Sequence, residues 1–138
     1  MLGYYRNPEA TREATRGDGW IATGDLATVS PTGELKIVGR RKEMIIRSGF
    51  NVYPAEVEAA INRHPGALQS AVVGLASPDG AEEVVAFVET RLGAPTSEQE
   101  LMEFLRGQVS PYKRPGRIFL RAALPVGPTG KILKRHLV

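Results

Sequence analysis

The sequence predicts an α+β fold, a small antiparallel or mixed sheet packed with helices, and three observations carry that prediction. Short β-rich runs bounded by glycine and proline recur at 26–29, 34–38, 68–75, 83–92 and 117–123. Two other segments, starting at Pro54 and after Ser97, space their apolar residues three and four apart, as a helix with one buried face requires. A hydrophobic content of 42% with 24% charged residues is that of a folded, soluble chain, and 138 residues suffice for one ordinary domain or for a small domain with a piece of another attached.

Taken in order, residues 1–19 are polar and without a strong period. Asn7-Pro8 reads as a turn leading into a short helix from Pro8 to Ala14. Residues 20–39 read as a β-hairpin. One arm is 20–23 and 26–29, broken by Gly24-Asp25; the other is 34–38, and Ser30-Pro31-Thr32-Gly33 supplies the turn. Asp25 has two readings: a bulge or turn former whose carboxylate satisfies backbone donors, or an acceptor for two ribose hydroxyls. Spacing alone favours the first.

Residues 39–58, GRRKEMIIRSGFNVYPAEVE, organise the chain. Four charged residues precede Met44-Ile45-Ile46, a run suited to a buried strand and too short for a helix. Gly49 then permits a tight loop, and Pro54 opens a helix with Glu56 and Glu58 at its positive end. That helix buries Val57, Ala60 and Ile61 and runs to His64, where Pro65 stops it. Strands at 68–75 and 83–92 pair across a turn at 77–80. Ser97 and Glu100 form a capping box for a second helix with Leu101, Phe104, Leu105 and Val109 on one face. Two helices on one sheet make a two-layer module. A basic linker at 110–115 precedes the last strand, and a Gly- and Pro-rich loop delivers Lys131 to the start of a terminal helix.

Composition narrows the function. With no cysteine, disulfides and thiolate metal sites are excluded, and a reducing, cytoplasmic setting is expected. No apolar run approaches a membrane span and no signal-peptide pattern is present. The net charge of +3 clusters at Arg40-Arg41-Lys42, Lys113-Arg114 and Lys131 with Lys134-Arg135. These clusters lack the aromatic interleaving or finger spacing of nucleic-acid binders, so a phosphorylated small molecule is the better ligand class. Gly130-Lys131 is not a phosphate loop: no glycine lies five residues before Gly130, and Ile132 replaces the Ser or Thr. By itself Lys131 is a solvated charge or a point charge held for an anionic oxygen.

One succession of motifs is more specific. Gly3-Tyr4-Tyr5 with Asn7-Pro8-Glu9-Ala10-Thr11 comes first, followed by Asp18-Gly19-Trp20 and Thr23-Gly24-Asp25. The 39–58 stretch, Tyr112-Lys113 with Pro115, and Pro125 with Thr129-Gly130-Lys131 complete it. In this order they resemble the final quarter of an AMP-forming acyl-CoA synthetase, a branch of the adenylate-forming enzymes that also include peptide-synthetase adenylation domains and firefly luciferase. The resemblance covers essentially the whole chain. It implies that 1–41 is the tail of a large N-terminal adenylation domain, hairpin included, and 42–138 a small mobile C-terminal domain. It implies ATP or AMP, coenzyme A and a carboxylic acid such as a fatty acid as ligands, with Mg2+ held mainly by the large domain.

Residue by residue, the resemblance makes Asp25 the holder of the ribose hydroxyls and Arg40 a contact to ribose or phosphates, and packs Ile37 beside the nucleotide. Lys42 becomes the hinge between two half-reactions. Lys131 bridges the substrate carboxylate and the α-phosphate, and its side chain is a point of regulation by acylation. Gly49, Ser48 and Arg47 line the pantetheine channel. Val126-Gly127 stands where the family usually has a basic residue and a Thr, and the family's upstream phosphate loop and acyl pocket have no counterpart here. The isolated chain is therefore expected to be inactive. Two alternatives stay open: an adenylation-domain piece serving a carrier protein, and a non-catalytic module that dimerises through the edges of its hairpin.

Overall fold

The computed structural model describes residues 1–15, 18–77 and 81–138, and it divides into two compact units, Met1–Lys42 and Glu43–Val138. The first unit opens with α1 (Pro8–Ala14), which begins at its proline as the sequence predicts and is capped by Asn7, whose Oδ1 accepts from the Ala10 N–H at 3.0 Å. Strands β1 (Asp25–Val29) and β2 (Leu35–Arg40) form the antiparallel hairpin. The Gly33 N–H closes the turn onto the Ser30 carbonyl at 2.9 Å. Residues 20–23 are not part of the first arm. Gly24 takes φ +78°, which turns the backbone out of the extended region, so β1 starts only at Asp25. Ile21 forms an isolated bridge to Thr15 instead.

In the second unit β3 (Ile45–Arg47) pairs antiparallel with β4 (Phe50–Val52), and Ser48 and Gly49 alone join them. The apolar run at 44–46 is only half buried: Ile45 is enclosed, but Ile46 faces solvent, as alternation along a strand requires. Strand β4 has no counterpart among the sequence expectations, because three residues ending in a proline-led helix leave too little pattern to read. Helix α2 (Pro54–Ile61) buries Val57, Ala60 and Ile61, and it ends at Asn62, before His64. The His64 Nδ1 accepts from the Gly66 N–H at 3.1 Å, which belongs to the turn that follows.

Strands β5 (Ala67–Ala76), β6 (Glu82–Thr90) and β7 (Arg117–Arg121) form one mixed sheet in the order β5-β6-β7. β5 and β6 are antiparallel; β7 returns parallel to β6 after α3 (Glu98–Arg106). The turn expected at 77–80 falls largely on 78–80, outside the described residues.

β6 lies between two partners, and Val84 to Val88 are all buried. Val84, Ala86 and Val88 join Val57, Ile61, Leu101 and Leu105 in the larger core, while Val85 and Phe87 face the other way, against Leu124, Ile132 and Leu137. The module therefore has a third, thin layer. An apolar run on both faces of a central strand needs cover on both sides, and the C-terminal segment supplies the second cover. That segment does not become an α-helix; its only helical piece is the 3-10 turn Lys134–His136. Pro125 and Pro128 remove donors, and Gly127 and Gly130 weaken helical order, so the chain folds into a hairpin there.

Candidate functional site

The residues expected to meet the nucleotide lie on the β1–β2 hairpin. Asp25 and Arg40 are partners across the ladder, and their side chains form an ion pair, Nε to Oδ1 at 3.3 Å. The Asp25 N–H donates to Thr23 Oγ1 at 3.1 Å, and the neighbouring Gly24 carbonyl accepts from the Arg41 N–H at 2.8 Å. The register slips between Leu26 and Ala27, whose partners are Gly39 and Ile37, so Val38 is an extra residue on β2 two positions before Arg40. The carboxylate itself accepts no backbone donor among the described residues, so the turn-forming reading does not describe it. It keeps acceptor capacity beyond Arg40, as a ribose diol needs. Ile37 stands on the same hairpin, 60% exposed.

Lys42 is the middle residue of a 3-10 turn, Arg41–Glu43, and the last residue of the first unit. Its ammonium makes no hydrogen bond or ion pair among the described residues.

Ser48 and Gly49 have φ values of +50° and +82°. Positive φ at both centres of a two-residue loop is the hairpin geometry that suits the right-handed twist of the flanking strands. The Arg47 side chain is half-buried against the basic linker. Its Nη1 donates to the Arg114 carbonyl at 2.6 Å and to the Tyr112 carbonyl at 3.3 Å, which ties the hairpin to the basic linker. Phe50 stacks on Tyr112 with centroids 4.8 Å apart. Lys113 pairs with Glu56 at 2.6 Å, and the hydrogen bond its ammonium donates to Glu56 holds it above the ordinary lysine range. Arg114 donates to the carbonyls of Arg106 and Val109, closing the end of α3. The linker's cations are structural.

Lys131 lies on the return arm of a tight hairpin. The Gly127 N–H donates to the Lys131 carbonyl at 2.8 Å, the Gly130 N–H to the Gly127 carbonyl at 2.9 Å, and the Leu133 N–H to the Pro125 carbonyl at 2.8 Å. Gly130 takes φ +77° with nothing near its missing side chain, so the backbone turn alone requires glycine. Buried Leu124 and partly buried Ile132 anchor the two arms in the core behind the sheet. The Lys131 side chain is exposed and, among the described residues, has no hydrogen-bond or ion-pair partner, neither Arg47 nor Ser48 included.

One cluster escaped the sequence reading. Lys134 Nζ bridges Glu58 Oε1 at 2.8 Å and Glu43 Oε2 at 2.9 Å. Glu58 Oε1 also accepts the Val72 N–H at 2.8 Å, on the open edge of β5. Burial pushes the Lys134 ammonium down, but the hydrogen bonds and charges of Glu58 and Glu43 outweigh it and hold it above the ordinary range. Glu43 and Lys134 were visible only as members of charged runs and Glu58 only as a carboxylate near a helix start, and a pairing 91 residues apart leaves no local signal. Among the described residues no group of acidic or histidine side chains is arranged to hold a metal, and no helix is long and apolar enough to cross a membrane.

A sheet covered on both faces, a glycine hairpin and a lysine on an anchored loop make up the second unit. Residues 56–131 match the family described as the AMP-binding enzyme C-terminal domain, and the chain belongs to that family. It is 43% identical over 137 residues to the long-chain-fatty-acid–CoA ligase of Escherichia coli O157:H7, covering 99% of this chain and 24% of that protein. Among solved structures it resembles ATP-bound MatB from Rhodopseudomonas palustris, with a TM-score of 0.87, 38% identity, and 98% of this chain and 27% of that one covered. It also resembles o-succinylbenzoate CoA synthetase from Bacillus subtilis in complex with its acyl-adenylate intermediate, with a TM-score of 0.90, 30% identity, and 99% and 28% covered. The chain thus spans about a quarter of the length of the relatives it matches.

Proposed function

We propose that this chain is the C-terminal part of an AMP-forming carboxylate–CoA ligase and supplies the lysine for adenylation and the wall of the thiol channel. The observation that carries the reading is Lys131, an exposed ammonium without a partner among the described residues, at the end of the matched segment and on a hairpin anchored at both arms. In the first half-reaction a carboxylate oxygen attacks the α-phosphorus of ATP and pyrophosphate leaves. Two anions meet, and Lys131 placed between them stabilises the charge that develops. In the second, the thiol sulfur of coenzyme A attacks the acyl carbon and AMP leaves. A domain turning about Lys42 withdraws Lys131 and presents the Ser48-Gly49 turn, whose glycine leaves the thiol's approach clear.

Asp25, relieved of part of its pairing with Arg40, accepts the ribose hydroxyls, with Arg40 facing the ribose or phosphates and Ile37 packing beside the nucleotide. Arg47 keeps the turn in place at the channel wall through the linker carbonyls. Long-chain acids are the first substrates to test, because the similar ligase named above acts on them. Mg2+ would accompany ATP, with its ligands outside this chain. The setting is cytoplasmic, where ATP and coenzyme A are available.

The test grafts this chain in place of the matching quarter of the Escherichia coli ligase and measures ATP–pyrophosphate exchange over a panel of carboxylic acids. Exchange is expected from the graft and not from the chain alone. Lys131→Ala is expected to lower it by roughly a hundredfold or more. Lys131→Gln, which deletes the charge as acylation does, should lower it comparably. Undiminished exchange by Lys131→Ala would remove the adenylation role, and exchange by the chain alone would show a complete site within it.

A further inference from the structure

We infer that Lys134 is a positioning residue that locks the Lys131 hairpin to the segment adjoining Lys42, so that motion at the hinge is transmitted to the adenylating lysine. The inference rests on the role proposed above for Lys131. Three residues after Lys131, the Lys134 ammonium sits between two carboxylates from distant parts of the chain, Glu43 at 2.9 Å and Glu58 at 2.8 Å. Glu43 immediately follows Lys42 and begins the second unit. Glu58 lies on α2, and the same oxygen that meets Lys134 also accepts the Val72 N–H of β5. One ammonium therefore joins the hinge side of the unit, its first long helix and its sheet to the base of the loop.

Among the described residues, the other contacts of this segment run to the sheet and the core behind it: Leu124 and Ile132 pack there, and the Leu124 N–H donates to Glu89 Oε2 of β6 at 2.8 Å. The remaining tie from this loop region toward the hinge, among the described residues, is Lys134 to Glu43. The pairs are partly shielded, with side-chain exposures of 26% for Lys134, 20% for Glu58 and 43% for Glu43, so solvent screens them less than a surface pair. Lys131 needs such a base. A point charge stabilises a transition state only when it is held where charge develops, and a displacement of about 1 Å can cost about a hundredfold in rate.

The experiment has two readouts. In the chain itself, hydrogen exchange of the Gly127 and Leu133 amides reports opening of the hairpin; Lys134→Gln should speed both severalfold and Lys134→Arg should restore them. In the grafted ligase, Lys134→Gln and Glu43→Gln should each slow ATP–pyrophosphate exchange, the first on the order of tenfold. The KM for ATP should stay unchanged, Lys134→Arg should recover most of the rate, and thioester formation from supplied acyl-adenylate should be unaffected. Should Lys134→Gln fold poorly, Glu43→Gln still decides, because its neutral side chain keeps the local shape. If Lys131→Ala abolishes exchange while Lys134→Gln and Glu43→Gln match the parent in both readouts, the coupling is wrong and the adenylation role stands. If Lys131→Ala exchanges normally, the adenylation role fails and the coupling with it.

Discussion

Ser48 and Gly49 illustrate how much a single backbone angle decides. Both occupy the left-handed region, φ +50° and +82°, and only one of them is glycine. A Cβ built on Gly49 would meet nothing within 4 Å, so its substitution is penalised by the backbone and not by a clash. Gly49→Val is expected to cost about 1–2 kcal/mol in urea unfolding. Ser48→Asn should raise the midpoint, because asparagine tolerates positive φ at the first position of such a turn better than serine does. If both variants unfold with the parent, the turn geometry is not what holds the hairpin. The same two substitutions separate stability from chemistry. In a grafted ligase Gly49→Val should slow thioester formation and leave adenylation intact, whereas Ser48→Asn, adding bulk at the neighbouring position, tests how wide the channel wall is.

At the scale of elements, the capping box of α3 joins sequence, helix start and pH response. Ser97 Oγ accepts the Glu100 N–H at 3.2 Å, and Glu100 Oε2 accepts the Ser97 N–H at 2.8 Å. That backbone hydrogen bond, then the side-chain bonds from Ser97 and Thr96, lowers the Glu100 carboxyl from its ordinary value of 4.5. A lowered folded value stabilises the fold above pH 4.5, and the contribution is lost as pH falls through that lowered value. Thermal unfolding from pH 7 downward should show Glu100→Gln losing less stability on acidification than the parent; equal losses would mean the box is not formed. Ser97→Ala should cost about 1 kcal/mol at neutral pH. This element was legible because its signal is local: hydroxyl, spacing of three and an apolar face. The tight loop at Gly49 was legible for the same reason, whereas Lys131 stood out only through the succession of motifs around it. Lys134 with Glu58, and Arg47 with the linker carbonyls, were not legible, because each pairs residues far apart in sequence. The terminal helix expected after Ile132 failed through turn chemistry, as prolines and glycines set a hairpin that packs Ile132 behind the sheet.

For the whole molecule, the division into two units makes an unequal pair. Every buried hydrophobic residue among those described lies in Glu43–Val138, and none lies in Met1–Lys42. Among the described residues, the first unit's α-helix and strands are one short helix and one two-stranded hairpin, and such a hairpin is marginal in water without a face to pack on. Its strands leave Val29, Leu35 and Ile37 at 60% exposure or more. The second unit has a three-stranded sheet covered on both faces. The free energy of opening follows that difference, since local stability tracks buried apolar contact and protected backbone hydrogen bonds. Hydrogen exchange on the full chain should therefore show the central amides of β6, between Val84 and Val88, exchanging slowest and only by global unfolding. Amides of β1 and β2 should exchange orders of magnitude faster, and denaturant too dilute to unfold the sheet should leave that contrast in place. Equal protection in the two units would mean that Met1–Lys42 draws its stability from a source other than a core of its own. In the grafted ligase the hairpin should gain protection while β6 stays as it was, because the sheet already has both of its covers and the hairpin has none.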